Sequence, residues 1–401
     1  MKKAVSILSF AALVIGVLFG IFFPELVPYI ELPGVWYVNV LKVFISPVIF
    51  TSIAVTIYRT SKKKDRLVLK SVGLFSLMFL ASFLLTSLLV LLIDPAKDFV
   101  FEGGSWSGQA MRFDFSTILR TLFPANLKEV FISPKVFAVI LFAWIFGKLR
   151  SFIEKSKPVF DFLDKLKELI FKALECFMYL TPLAVFSLTA VTAGRYGKVL
   201  LGAGLRYIAS AYICSIAVLI IVMMLPVFFI AKIGPLEYIK RVAKIWLMTF
   251  TTCSSSATLP YTVRVCRDEF GIDERVTDVV VPLGCTIHMC GGAVSFVLLG
   301  LFFARVYGVS ISFGAYMYMA ILALVINMAA PGIPGGGIVV GAGYLEMLGV
   351  PLDIMGFYSG IYKFLDMIYT TLNVTGDISA NIILGRSSIK QEGKGNETHN
   401  S

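Results

Sequence analysis

TTCSSSATLP at 251–260 and AAPGIPGGG at 329–337 decide how this chain folds. Each cuts an apolar stretch, 236–266 and 311–347, into two arms of about 15 residues. A helix needs about 20 residues to cross a hydrocarbon layer of about 30 Å, so neither arm crosses alone. A continuous apolar span follows each break, at 276–306 and at 351–385. Irregular backbone cannot face lipid, because its N–H and C=O groups would stay unpaired; it is tolerated inside protein or beside a wet cavity. One Ser-rich or Gly-Pro break by itself reads equally as a kink or a close-packing point. Two in corresponding positions, each followed by a polar-faced helix, point to an inverted repeat whose breaks meet near the midplane. Loop N–H groups and half-helix ends there can hold a small charged solute and ions.

The rest of the chain agrees with a membrane setting. Of its 401 residues, 58% are hydrophobic and 15% charged, with a mean hydropathy of +0.85. Soluble domains lie near roughly 45–50% apolar and roughly 25% charged, so a cytosolic enzyme is excluded and a polytopic membrane protein is expected. Further spans read at Ala4–Phe23, which is expected to be retained as a first helix, and at 36–58, 69–93, 115–149, 159–193 and 198–231. The net charge of +11 does not form one patch, so nucleic acid is not a partner. Its basic groups gather between spans: residues 59–66 hold five basic groups and one acid, and 231–244 hold four and one. Residues 94–114 hold four acids and two bases. The positive-inside rule then puts both termini on the cytoplasmic face of the cell (inner) membrane. The six cysteines sit in or beside apolar stretches, against an extracellular disulfide framework. Cys285 and Cys290 lack the second pair of a zinc site.

The last span carries the chemistry. Lys363, Tyr369, Thr370, Asn373 and Asp377 lie at −3, +3, +4, +7 and +11 from Asp366, which at about 100° per residue is one stripe. Intramembrane acids are costly, so such a stripe faces a cavity and marks a solute or ion path. A Lys363–Asp366 pair at i,i+3 is the structural alternative; it leaves Asn373 and Asp377 unexplained. Asp366 suits an ammonium group, and Asn373 and Asp377 are oxygen donors that a small cation takes. The neighbouring span reads GCTIHMCGG at 284–292, with Pro282 upstream, and its glycines allow unwinding that exposes carbonyls. His288, the one histidine outside the polar tail, reads either as a helix–helix hydrogen bond or as a titrating group. An aspartyl dyad is excluded. Asp366 and Asp377 stand about 16 Å apart along one helix, against about 3 Å in a proton-sharing pair.

At SSSATLP (254–260) with TVRV (262–265), PLGCTIHM (282–289), GIPGGG (332–337) and LDMIYTTLNVTGD (365–377), the chain resembles the dicarboxylate/amino acid:cation symporter family, which includes the glutamate transporters. The resemblance implies an all-α integral membrane protein with eight transmembrane helices, two re-entrant helical hairpins, inverted repeats and a homotrimer. It implies scaffold helices in 1–68 and 94–193. Residues 69–93 and 194–385 would form a transport domain that slides like an elevator, and 386–401 a polar, unstructured cytoplasmic tail. Carried over by position, Ser255 and the backbone around Cys253 line the solute site from the first hairpin, and Ile333 and Gly337 close it from the second. Asp366 holds the amino group, with Thr370 and Asn373 beside it. Asn373, Asp377 and the Gly284 carbonyl form a sodium site, and Thr286 and Met289 touch another.

The departures narrow the function. The family motif Asn-Met-Asp-Gly-Thr is here His288-Met289-Cys290-Gly291-Gly292, which removes an acid, an amide and a hydroxyl. The second tip carries Asn327, Met328 and Ala330 where small and hydroxyl residues are usual. Fewer sodium ions are expected, with a proton through His288 as a second coupling ion. Tyr369 stands where acidic-substrate members place an arginine, and a phenol cannot grip a carboxylate bidentately. Gly292 replaces the threonine near the solute. The expected function is therefore cation-coupled symport of a neutral rather than an acidic amino acid. The alternatives are a dicarboxylate or other carboxylate symporter, and a passive, channel-like pathway.

Overall fold

A computed structural model of the chain describes residues 2–62, 66–97, 136–149, 157–196, 198–328, 330, 332, 335–352 and 355–397. Every regular element among them is helical. The first half holds α1 (Lys2–Phe22), α2 (Val27–Lys62), α3 (Arg66–Ile93), α4 (Val136–Lys148), α5 (Lys157–Phe177), α6 (Thr181–Tyr196), α7 (Lys198–Val218) and α8 (Leu225–Ala231). The second half holds α9 (Pro235–Thr252), α10 (Ser255–Arg264), α11 (Glu274–Ile287), α12 (Cys290–Val306), α13 (Phe313–Asn327), α14 (Gly336–Met347) and α15 (Met355–Glu397). Among the described residues, four stretches are long and apolar enough to cross a membrane: Arg66–Ile93, Lys157–Val191, Gly202–Ala231 and Glu274–Val306. They become five if the bent pair Ala11–Phe22 and Pro24–Tyr37 is one span. Most of the expected 115–149 span falls outside the described residues.

Several boundaries differ from the sequence reading, each for a local reason. The 106° bend between α1 and α2 sits at Pro24, which has no N–H to continue a helix. The 198–231 span widens to a π-type turn over Leu219–Met224; Pro226, just beyond, offers no N–H to the carbonyl of Val222. The 276–306 span is two helices. His288 (φ −109°, ψ 99°) and Met289 (φ −127°, ψ 81°) leave helical geometry, so the unwinding falls on these two and not on the glycines after them. The tail was expected to be unstructured, yet α15 runs on through it to Glu397. Residues 386–397 hold no proline to break it, and helical hydrogen bonds formed upstream propagate across Gly393 and Gly395 at a cost of about 1 kcal/mol each.

Both broken elements are present. Between α9 and α10 the break is Cys253, in the left-handed region at φ 51°, and Ser254, whose Oγ accepts the Ala257 N–H and caps α10. Between α13 and α14 the chain enters α14 from Gly335 at φ +78°, a conformation that favours glycine.

Helix α9 runs antiparallel to α15 and is pinned to it by a ladder of polar contacts. Tyr238 and Ser379 share a bond of 2.8 Å, Trp246 Nε1 donates to Thr375 Oγ1 at 2.8 Å, and Thr249 meets Thr371 at 2.9 Å. Interhelical bonds inside membrane proteins are worth about 0.6 kcal/mol each, so the ladder fixes register more than stability. Helix α12 is the central element, buried along nearly its whole length from Cys290 to Val306. It packs on α3, α7 and α15, where Phe302, Tyr207 and Tyr358 are fully enclosed. Leucines at 77, 84, 88, 91 and 92 on the other face of α3 are exposed, as a lipid-facing surface requires. At the aqueous ends, Arg267 pairs with Asp278 and Glu274, and Arg305 reaches Asp94 at 3.4 Å.

Candidate functional site

The two breaks meet. Ser254 Oγ donates to the Gly332 carbonyl at 2.8 Å, and the Ser256 N–H donates to the same oxygen at 3.2 Å. Beneath this junction lies a cavity whose free space, open solvent at its mouth included, is about 530 Å³. Cys253 and Ser255 line it from the first tip, and Asn327, Ala330, Gly332, Gly337 and Val340 from the second. Helix α12 supplies Gly291, Gly292, Ser295 and Phe296, with Met289 just before it; α15 supplies Tyr362, Asp366, Tyr369, Thr370 and Asn373.

Asp366 is the acid of this cavity and is 6% exposed. Its Oδ2 accepts the Gly335 N–H at 2.9 Å, and its Oδ1 accepts from Thr370 at 3.3 Å and Tyr362 at 3.4 Å. A buried charge needs such partners. The Gly335 bond also ties the second tip to α15. The Lys363–Asp366 pair considered from sequence is not made: the Lys363 ammonium donates to Cys253 Sγ at 3.1 Å, on the first tip. The cavity lining therefore holds one formal charge, the Asp366 carboxylate, and no Arg, Lys or His.

Of the residues expected to bind solute, Cys253, Ser255, Gly292, Gly337, Asp366, Tyr369, Thr370 and Asn373 all line this cavity; Ile333 lies outside the described residues. Those expected to bind cations divide. Met289 and Asn373 line the cavity, with Asn373 Oδ1 accepting the Gly291 N–H at 2.8 Å. Thr286 is exposed, and its hydroxyl donates to the Leu283 carbonyl at 2.7 Å. Gly284, His288 and Asp377 form a separate, dry cluster. His288 Nδ1 is 3.0 Å from Asp377 Oδ1, its Nε2 is 3.0 Å from Cys290 Sγ, and its ring stacks on Phe75 at 4.5 Å.

A neutral imidazole satisfies that cluster, with Nδ1–H donating to the carboxylate and the thiol donating to Nε2. Gly284 has no side chain, and the Asp377 carboxylate occupies the space one would fill. Of the side-chain groups proposed for the sodium site, the Asn373 amide oxygen and one Asp377 carboxylate oxygen thus already have polar partners, and the imidazole stands against the latter. Asn327, Ser295, Phe296 and Tyr362 were not singled out as solute residues from sequence, yet they line the cavity. Tyr362 lies one turn before Asp366 on the same face, which is the signal that could have found it.

A family model described as the sodium:dicarboxylate symporter family matches residues 6–387. A proton/glutamate-aspartate symporter of Bacillus subtilis (strain 168) is 24% identical over 96% of this chain and 95% of its own length. A C4-dicarboxylate transport protein of Rhizobium johnstonii is 27% identical over 94% of this chain and 87% of its own. A proton/sodium-glutamate symport protein of Bacillus subtilis is 23% identical over 94% of this chain and 91% of its own.

Proposed function

The chain belongs to the sodium:dicarboxylate symporter family, and from that membership we propose that it carries a neutral amino acid across the membrane together with a cation. It is a multi-pass membrane transporter and not an enzyme. The observation that carries the neutral reading is the charge of the cavity: Asp366 is its one ionised side chain, and Tyr369 stands where a cation would grip a second carboxylate. An α-ammonium group balances Asp366, and an α-carboxylate finds the N–H groups and hydroxyls of the two tips. A second carboxylate would meet a wall with no positive charge, and burying it unpaired costs several kcal/mol.

The names of the relatives support a cation as the driving ion, sodium or a proton. The His288–Asp377–Cys290 cluster supports a smaller role for sodium than the family norm, because an imidazole adjoins the acid that would hold it. For the motion we favour an elevator in which α3 and α7–α15 slide against α1, α2 and α4–α6, in a homotrimer with both termini cytoplasmic. Uptake into proteoliposomes under an imposed sodium or proton gradient tests the reading. Concentrative uptake of alanine or serine supports it. Uptake of succinate or aspartate that neutral amino acids do not compete against rejects it in favour of a carboxylate carrier, the activity in the name of the Rhizobium relative. Equilibration without accumulation under either gradient favours a passive pathway.

A further inference from the structure

Among the described residues, two that line the cavity carry a buried polar atom without a hydrogen-bond partner: Asn327 and Tyr369. The phenol can donate or accept and so discriminates little. Asn327 is different. It is 1% exposed, at the end of α13, and its Nδ2 donates to the Ile287 carbonyl at 3.5 Å, where α11 ends. With Nδ2 turned to that carbonyl, at the long end of hydrogen-bond distance, Oδ1 is the atom left without a donor. The oxygen occupies the space that a side chain at Gly292 would fill. The glycine and the asparagine are thus complementary: the missing side chain on α12 admits an amide from α13 into the wall. A buried acceptor without a donor is destabilising, and a wall residue that keeps one is set to receive a donor from what binds there.

We infer that Asn327 is a specificity-determining residue whose amide oxygen accepts a hydrogen bond from the side chain of the transported solute. The inference rests on the neutral amino acid reading and narrows it. The solute class is one whose side chain ends in a hydroxyl or an amide N–H, as in serine, threonine, asparagine or glutamine. Aliphatic amino acids of equal size leave the oxygen unpaired and are discriminated against, since a site built to hydrogen-bond a substrate group rejects the analogue that lacks it.

The test is competition between shape-matched pairs, threonine against valine and serine against alanine, on the full-length protein in proteoliposomes. The wild type is expected to prefer the hydroxyl member by about threefold to tenfold, the worth of one hydrogen bond. Asn327→Ala is expected to bring the ratio to about one, and Asn327→Asp, which keeps an acceptor oxygen, to retain a preference. No preference in the wild type overturns the inference while leaving the neutral reading intact. So does an Asn327→Ala protein that keeps the preference or loses both members of a pair equally. A cation requirement that shifts alike for both members assigns the oxygen to the coupling ion and also overturns it. Uptake of dicarboxylates alone defeats the underlying reading itself, and the inference with it.

Discussion

Asp366 is the residue on which solute capture turns. It is buried, its two oxygens accept from Gly335, Tyr362 and Thr370, and the Lys363 ammonium one turn away is held by Cys253 rather than paired with it. Asp366→Asn keeps the shape and removes the charge. A hydrogen bond to a charged group is worth about 1.5–3 kcal/mol, so solute affinity is expected to fall by at least tenfold, read as a lost thermal shift on adding the amino acid. His288 belongs to a different compartment, linking Asp377 to Cys290 behind the cavity wall. His288→Gln can keep one of these links but not both. If the imidazole carries a coupling proton, uptake by this variant no longer responds to an imposed pH gradient; an unaltered response assigns the ring to packing.

Asp366, Thr370 and Asn373 were legible in the sequence because one helical period puts them on one face. Asn327 was read only as a departure at a cation site. Periodicity identifies faces, but it cannot say which distant side chain fills the space beside Gly292. The alternative considered for Lys363 failed for a related reason. Spacing offered it Asp366, whereas the fold brings Cys253 to it across the gap to another element.

At the scale of elements, the two breaks were legible because their composition is incompatible with an uninterrupted span. That they meet was expected from the repeat alone; that Gly332 is the meeting point was not. The end of the first span before Pro24 was legible, and unwinding was read into 284–292, but its fall on His288–Met289 rather than on the glycines was not located. The junction offers a direct test. A Cβ on Gly332 would stand 2.7 Å from Ser256 Oγ, close enough for cysteines at 256 and 332 to approach disulfide geometry. The double variant Ser256→Cys/Gly332→Cys is expected to lose uptake on oxidation and regain it with reductant, while each single variant ignores both treatments. Continued uptake by the cross-linked protein would mean that the tips need not separate.

On the scale of the whole molecule, the elements that build the cavity rest on the first helices through small residues. A Cβ on Gly343 of α14 would stand 3.1 Å from Ile45 of α2, with Ile49 also in contact, and one on Gly360 of α15 would meet Leu13 of α1. Overpacking such a seam costs about 1–3 kcal/mol. Gly343→Leu is therefore expected to slow transport severalfold while the amino acid still raises the melting temperature of the purified protein. Loss of both would assign the seam to folding and not to sliding. The double acceptance at the Gly332 carbonyl has a kinetic consequence as well. A solute that enters through this junction needs both hydrogen bonds to open, so encounter alone would not set its association rate. That rate should fall well below the diffusion limit and climb steeply with warming, and scarce solute would then be gathered at the pace of the latch, however fast it diffuses.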